Sequence, residues 1–515
     1  MDERTISECL NSIAAKYPDK EAVTDMGVSY TWKQIQELTN HEVLVLQDKE
    51  IKKGTHVAIW VDNSVNWIVL YLALQQLGAV TALLNVAYKW RELETALENC
   101  DVEYIFYSAQ YRDSDHIRTI RELNRNRLSA FKEGFLIQDE PVCLPQNMSG
   151  IDCESEKTDS DNVSNILFTS GTTKAAKGVM LTDRNIVNNS LAIVKRLKWT
   201  AEDRMCFAVP MYHCFGVTVG ILGALHTGAS IHIVRSFKSE SVFEVIEEHK
   251  CTIFNGVPTM FLAMKNSQLA DNYDLSSLKG GLMAGSAILP AEYIEICKKF
   301  GLERLNTAFG QTESSPAITV SEDSDSKEIR SNSSGRVLPD MELRIMKNSS
   351  VMGCMEEGEI QTRGYHVMKG YYNMPEETLN TLDTEGWLST GDLGYVDEQG
   401  YLHVTGRIKD IIVRGGENIS PVEIEQVLCQ LPNVMSVKVV GIPAPVIQEE
   451  VVACIIWKDN EPMDSEYVRS FVRSQLADYK VPKYILDYME FPMNSSGKIL
   501  SAELSEISRK RIEQK

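Results

Sequence analysis

Four hydroxyl residues, two lysines and two glycines fall within Thr169-Ser170-Gly171-Thr172-Thr173-Lys174-Ala175-Ala176-Lys177-Gly178. Glycine lets a ligand approach the backbone, N–H and hydroxyl groups donate to anionic oxygens, and lysine supplies charge. The combination suits a polyphosphate, although a polar surface loop has the same composition. It is not a Walker A loop, since no Gly-Lys-Ser/Thr triplet closes it. A second group, Phe309-Gly310-Gln311-Thr312-Glu313, sets a ring that can stack on a base beside a carboxylate. Mg2+ prefers carboxylate and phosphate oxygens, which makes Glu313 the candidate metal ligand. Alone, the pentapeptide reads equally well as a turn after a strand. A third group, Thr390-Gly391-Asp392, is followed by Gly406-Arg407. A carboxylate flanked by glycines can accept both hydroxyls of a ribose, though Thr-Gly-Asp is by itself a common turn. The fourth is Ser496-Gly497-Lys498 near the C-terminus. Most such lysines are solvated, but a cation held after a tight turn is what a charge-gathering pentavalent phosphorus requires. His213 lies amid apolar residues, where a core role and a substrate contact are equally open.

The elements that must position these groups read as α/β. Ile6 to Tyr17 has helical apolar spacing, residues 22–31 form a short hairpin, and Thr31 is placed to cap the next helix. Strands at 56–61, 79–84 and 104–108 alternate with helices at 63–77 and 90–99, which argues a parallel sheet covered on both faces. The apolar stretch Trp67 to Leu84 is interrupted by Gln75, Gln76 and Gly78 and reads as a buried helix running into a strand. An apolar strand at 163–168 leads into the hydroxyl-rich loop, and a helix from about Thr182 to Leu197 follows it. Short strands resume at 204–209, 230–234, 252–254 and 281–284. From Gly335 to His403, glycine-punctuated strands suggest a small antiparallel or barrel-like unit. A boundary falls near Gly406-Arg407, dividing 1–406 from an α+β module at 407–515.

The motifs, in this order, resemble the adenylate-forming superfamily, and most closely its acyl-CoA synthetases. The expected fold is α/β: a large N-terminal domain of layered α/β/α sheets with a small barrel-like β unit, then a small mobile α+β C-terminal domain. The resemblance implies that Thr169, Ser170, Gly171, Thr172, Thr173 and Lys177 cradle phosphates of ATP. It also implies that Gly285, Ser286, Phe309 and Gly310 line the adenine cleft, with Thr312 and Glu313 at the Mg2+ site. By the same resemblance Asp392 and Arg407 hold the ribose, Lys498 bridges carboxylate and α-phosphate, and His213 stands at the carboxylate site. Lys409 is the implied hinge, and Arg414-Gly415-Gly416 the hairpin lining the path of the CoA thiol. The chain departs from the family pattern at Lys174 and Ala176, at Phe309 in place of tyrosine, and at Gln448 in place of glycine. The implied reaction activates a fatty or other apolar acid with ATP and transfers it to CoA. A stand-alone enzyme loading a separate carrier protein, or an ATP-binding homologue without turnover, is the alternative.

Bulk properties agree with that class. At 515 residues, two or three domains are expected. A net charge of −20 argues against nucleic acid and against an anionic membrane surface as the main partner. Eleven scattered cysteines without a Cys-x-x-Cys pair fit reduced thiols. With no secretory signal visible at Met1 to Leu10, a cytoplasmic enzyme is expected.

Overall fold

A computed structural model describes residues 1–143, 158–169, 177–494 and 497–514. Two sheets of mainly parallel strands form the large domain. In the first, Glu21–Asp25, Ser230–Ile233, Arg204–Phe207, Ile253–Phe254, Gly280–Met283 and Arg304–Gly310 run parallel, with antiparallel strands at both edges. In the second, Val163–Phe168, Val80–Leu83, His56–Trp60, Tyr104–Ser108 and Glu133–Ile137 run parallel. The strands of the first 160 residues are therefore divided between these two sheets, apart from a separate two-stranded ribbon, Gln110–Tyr111 with Ser114–Asp115. The hairpin at 21–31 crosses to join strands from beyond residue 200.

The helix Val65–Leu77 shows why. It is apolar all round and buried on nearly every side, as a helix trapped between layers must be. It touches strands of both sheets. Ser64 starts it by accepting the Trp67 N–H, and Gly78 ends it in the left-handed conformation at φ 68°. Trp67 and Tyr71 are fully buried in the same core that takes in Ile6, Trp32 and Phe207. Thr31 caps Trp32–Asp48 as the sequence suggests, with Gln34 completing the reciprocal box.

The glycine-rich region is a five-stranded antiparallel sheet, Ser350–Val351, Met341–Lys347, Gly358–Gly364, Leu388–Val396 and Leu402–Arg407. Its small core of Ile345, Ile360 and Leu402 packs against Phe309. The 3₁₀ turn Ile408–Asp410 links it to the small domain. There Val434–Ala444 and Gln448–Trp457 form a long hairpin flanked by Pro421–Leu428, Ser465–Arg473 and Ser501–Glu513. One face of that sheet buries Ile424, Val451 and Val468, the other Val452, Leu486 and Leu504. Among the described residues, no helix is long and apolar enough to cross a membrane.

Candidate active site

The two strands that flank the hydroxyl-rich segment pair with each other. Val163–Phe168 pairs antiparallel with Gly178–Thr182, and the Thr169 N–H donates to the Lys177 carbonyl at 3.2 Å. The sequence pattern runs directly from loop to helix, whereas the structure has the strand Gly178–Thr182 between them. That strand's five residues carry too little period to register. Thr182 then caps the helix Asp183–Arg196. Ser170, Gly171, Thr172 and Thr173, with the divergent Lys174 and Ala176, lie outside the described residues. Lys177, which closes the loop, sets its ammonium 4.4 Å from the centroid of the Tyr371 ring.

Tyr371 belongs to the short strand Gly370–Tyr371, which adds to the same hairpin through Val179. Its hydroxyl donates to Glu313 Oε1 at 2.8 Å. Glu313 lies on the 3₁₀ turn Thr312–Ser314, and its carbonyl accepts the Met368 N–H. Thr312 is buried, with Oγ1 3.7 Å from Cys214 Sγ, so the metal-motif turn packs on the histidine segment. Phe309 and Gly310 are the last residues of the strand Arg304–Gly310, not a turn. A Cβ at Gly310 would stand 1.9 Å from the Pro316 carbonyl oxygen, which excludes any other residue there.

Asp392 and Arg407 face each other across neighbouring antiparallel strands. Arg407 Nε donates to Asp392 Oδ1 at 2.6 Å, and the carboxylate is 4% exposed. Burial raises the Asp392 pKa while the guanidinium opposes that shift.

Lys498 sits on a tight hairpin. The Asn494 N–H donates to the Lys498 carbonyl at 2.9 Å, the Lys498 N–H donates to Asn494 Oδ1 at 2.8 Å, and Met493 bridges Ile499. The Thr259 hydroxyl donates to the Gly497 carbonyl at 3.1 Å, docking this hairpin of the small domain on the large one. There Lys498 shares the field of Arg407, Asp392 and Asp410. Burial first, then Arg407, pulls its pKa down to about 8. His213 feels the same lysine and is itself pulled down to about 4, chiefly by burial. Its Nδ1 accepts the Phe215 N–H at 3.2 Å, which leaves a neutral ring with the proton on Nε2.

Gly285 and Ser286 follow the strand Gly280–Met283 and are exposed in the opening beside Val257. Gly280 and Gly281 lie where neighbouring strands approach closely. A Cβ at either would stand about 2 Å from the carbonyl of Arg304 or Phe254, so their role is close strand packing. Gly416 lies at the tip of the hairpin Ile412–Arg414/Glu417–Ile419, and its N–H donates to Gln448 Oε1 at 3.2 Å. Gln448 itself is left-handed at φ 66°, a conformation glycine adopts without strain. Gln448→Gly is expected to change stability by less than about 1 kcal/mol in denaturant melts, relief of strain offsetting one exposed hydrogen bond. Amide exchange at Gly416 should become faster.

Thr259 and the contact of Tyr371 with Glu313 leave no local pattern, whereas a family glycine at the position of Gln448 is a signal for a left-handed residue. Gly370-Tyr371 offered a glycine before an aromatic, but its partner Glu313 is 58 positions away. Among the described residues no cluster of three His, Cys, Asp or Glu could enclose a metal. A single carboxylate does suit Mg2+, which keeps several waters and takes substrate phosphate oxygens.

A buried Asp–Arg pair, a hydroxyl-rich loop closed by Lys177, the Glu313 carboxylate and a lysine on the small domain are groups that a nucleotide-dependent activating enzyme would need. Residues 10–372 match the model of the AMP-binding enzyme family, and residues 423–498 that of the AMP-binding enzyme C-terminal domain. The chain belongs to this family. It is 36% identical to a putative acyl-CoA synthetase, YngI, of Bacillus subtilis, over 98% of this chain and 96% of the relative. It is 32% identical to the mitochondrial medium-chain acyl-CoA ligase ACSF2 of Mus musculus, over 98% of this chain and 87% of the relative. The crystal structure of ATP-bound MatB from Rhodopseudomonas palustris superposes with a TM-score of 0.87 at 26% identity, covering 98% of this chain and 99% of that one. The protein is an AMP-forming acid–thiol ligase, using ATP with Mg2+ to activate a carboxylic acid and CoA to accept the acyl group.

Proposed function

We propose that the acid is a fatty or other apolar acid and that the hairpin lysine and the Asp392–Arg407 pair act together in its adenylation. Thr169 and Lys177, with the intervening loop, hold the outer phosphates. Asp392 takes the ribose hydroxyls, with Arg407 closing the site. Phe309 and Gly310, with Gly285 and Ser286, receive the adenine. The neutral His213 offers its Nε2 proton to the carboxylate, and Lys498 lies between that carboxylate and the α-phosphate. The acid oxygen forms a bond to the α-phosphorus as the bond to pyrophosphate breaks, and the Lys498 ammonium stabilises the charge gathering on the phosphoryl oxygens. Mg2+ on Glu313 would neutralise phosphate charge there. The division at 406/407 serves as a hinge at Lys409, so the small domain withdraws Lys498 and brings the hairpin at Gly416 to the thiol path.

The observation that carries this reading is the Thr259–Gly497 hydrogen bond, which sets Lys498 into the field of Asp392, Arg407 and His213. The apolar acid is supported by Phe254, Val257, Met260 and Phe261 around Gly256, whose fully or largely buried side chains are apolar and would offer an amino acid's ammonium no charge. The unpaired thiols of the described cysteines, with the acidic charge, favour the cytoplasm. The test is ATP–pyrophosphate exchange against a panel of carboxylic acids, led by medium-chain fatty acids because the Mus musculus relative is named for them. Exchange with aliphatic acids, followed by CoA consumption, is the expected result. Exchange confined to amino or other polar acids would refute the apolar acid, and exchange without CoA consumption would point to carrier loading.

A further inference from the structure

Tyr371 takes no part in the roles above, yet it touches two of the groups to which they are assigned. Its ring lies under the Lys177 ammonium at 4.4 Å, and its hydroxyl donates to Glu313 Oε1 at 2.8 Å. It is held in turn by its strand pairing with Val179 and by its own N–H, which donates to Thr378 Oγ1 at 2.9 Å. The side chain is 5% exposed.

We infer that Tyr371 is a positioning residue that couples the phosphate loop to the metal carboxylate. By occupying Oε1 it leaves Oε2 as the oxygen free for a cation, so that Glu313 binds through one atom and the remaining coordination falls to water and phosphate. By seating the Lys177 ammonium on its face it fixes that charge at the base of the hairpin instead of leaving it on a mobile four-carbon stem. One ring thus sets the spacing between the two positive charges that a pyrophosphate must meet. This rests on the proposed roles of Glu313 and Lys177.

Two variants separate the two contacts. Tyr371→Phe keeps the ring and loses the hydroxyl, and Tyr371→Leu loses both. Glu313→Gln serves as the reference. Each is followed by the Mg2+ concentration needed for half of the ATP-induced rise in Tm, by Mn2+ binding in the presence of a non-hydrolysable ATP analogue, and by pyrophosphate exchange. Tyr371→Phe should raise the half-saturating Mg2+ roughly tenfold while leaving the metal-free affinity for ATP unchanged. Tyr371→Leu should raise the metal requirement and also weaken ATP itself. Should Tyr371→Leu fold poorly, Tyr371→Phe decides alone. An unchanged metal requirement in Tyr371→Phe, with a raised one in Glu313→Gln, would overturn the coupling and leave the metal assignment standing. Unchanged requirements in both would remove the coupling together with the role of Glu313.

Discussion

Lys498→Ala is expected to lower ATP–pyrophosphate exchange by roughly 10²- to 10³-fold, the cost of deleting one donor aimed at developing charge. Thioester formation from supplied acyl-adenylate should be nearly untouched, because Lys498 has no assigned role once the adenylate exists. The free lysine has a pKa near 8, below its ordinary 10.5, through burial and the neighbouring Arg407. The charged form is the active one, so kcat/KM for exchange should fall as pH rises through about 8. Lys498→Arg, always charged, should keep little activity for want of the same geometry but should lose that alkaline limb. Stability supplies an independent check. Between about 8 and 10.5 the unfolded chain binds more protons than the folded one, so this group's contribution to stability rises with pH across that window. Below about 8 its burial as a cation opposes folding in full. The Tm of Lys498→Ala without ligands at pH 7 should therefore be no lower than that of the parent. A large fall in Tm would mean that lost activity reports misfolding.

The second large effect is expected at the hinge. Lys409→Pro should spare exchange and lower CoA-dependent thioester formation by roughly 10²-fold, the loss expected when reacting groups cannot reach their productive positions. Lys409 is the middle residue of the turn Ile408–Asp410 between the strands Leu402–Arg407 and Ile412–Arg414. Proline is tolerated in a first turn, where N–H groups lack intrahelical acceptors. The present arrangement, with Gly497 on Thr259, therefore survives, whereas rotation of φ at 409 does not. Lys409→Ala, which leaves φ free, should retain both half-reactions. Equal survival of both half-reactions in the proline variant would place the hinge elsewhere.

Much of this was legible locally. The helix Val65–Leu77, the capping by Thr31 and the strand leading into the phosphate hairpin follow from period, cap chemistry and apolar runs, which act over a few residues. Asp392 and Arg407 could be named as partners by resemblance, but their 2.6 Å contact follows from the register of two antiparallel strands. The same holds for the division of the early strands between two sheets, and for Gly280 and Gly281. A Cβ at either glycine would meet the backbone of a neighbouring strand, which no local pattern shows.

The amino-acid sequence by itself determined the chemistry available: a cationic loop, one metal-competent carboxylate, a ribose-ready aspartate and a lysine after a glycine turn. Tertiary structure decided which of these meet. Tyr371 joins Glu313 across 58 positions, and Thr259 holds Gly497 across 238. The reason is physical. Side-chain type and short-range period are properties of neighbours along the chain, whereas a hydrogen bond between distant segments depends on how sheets and domains pack, which no local pattern encodes.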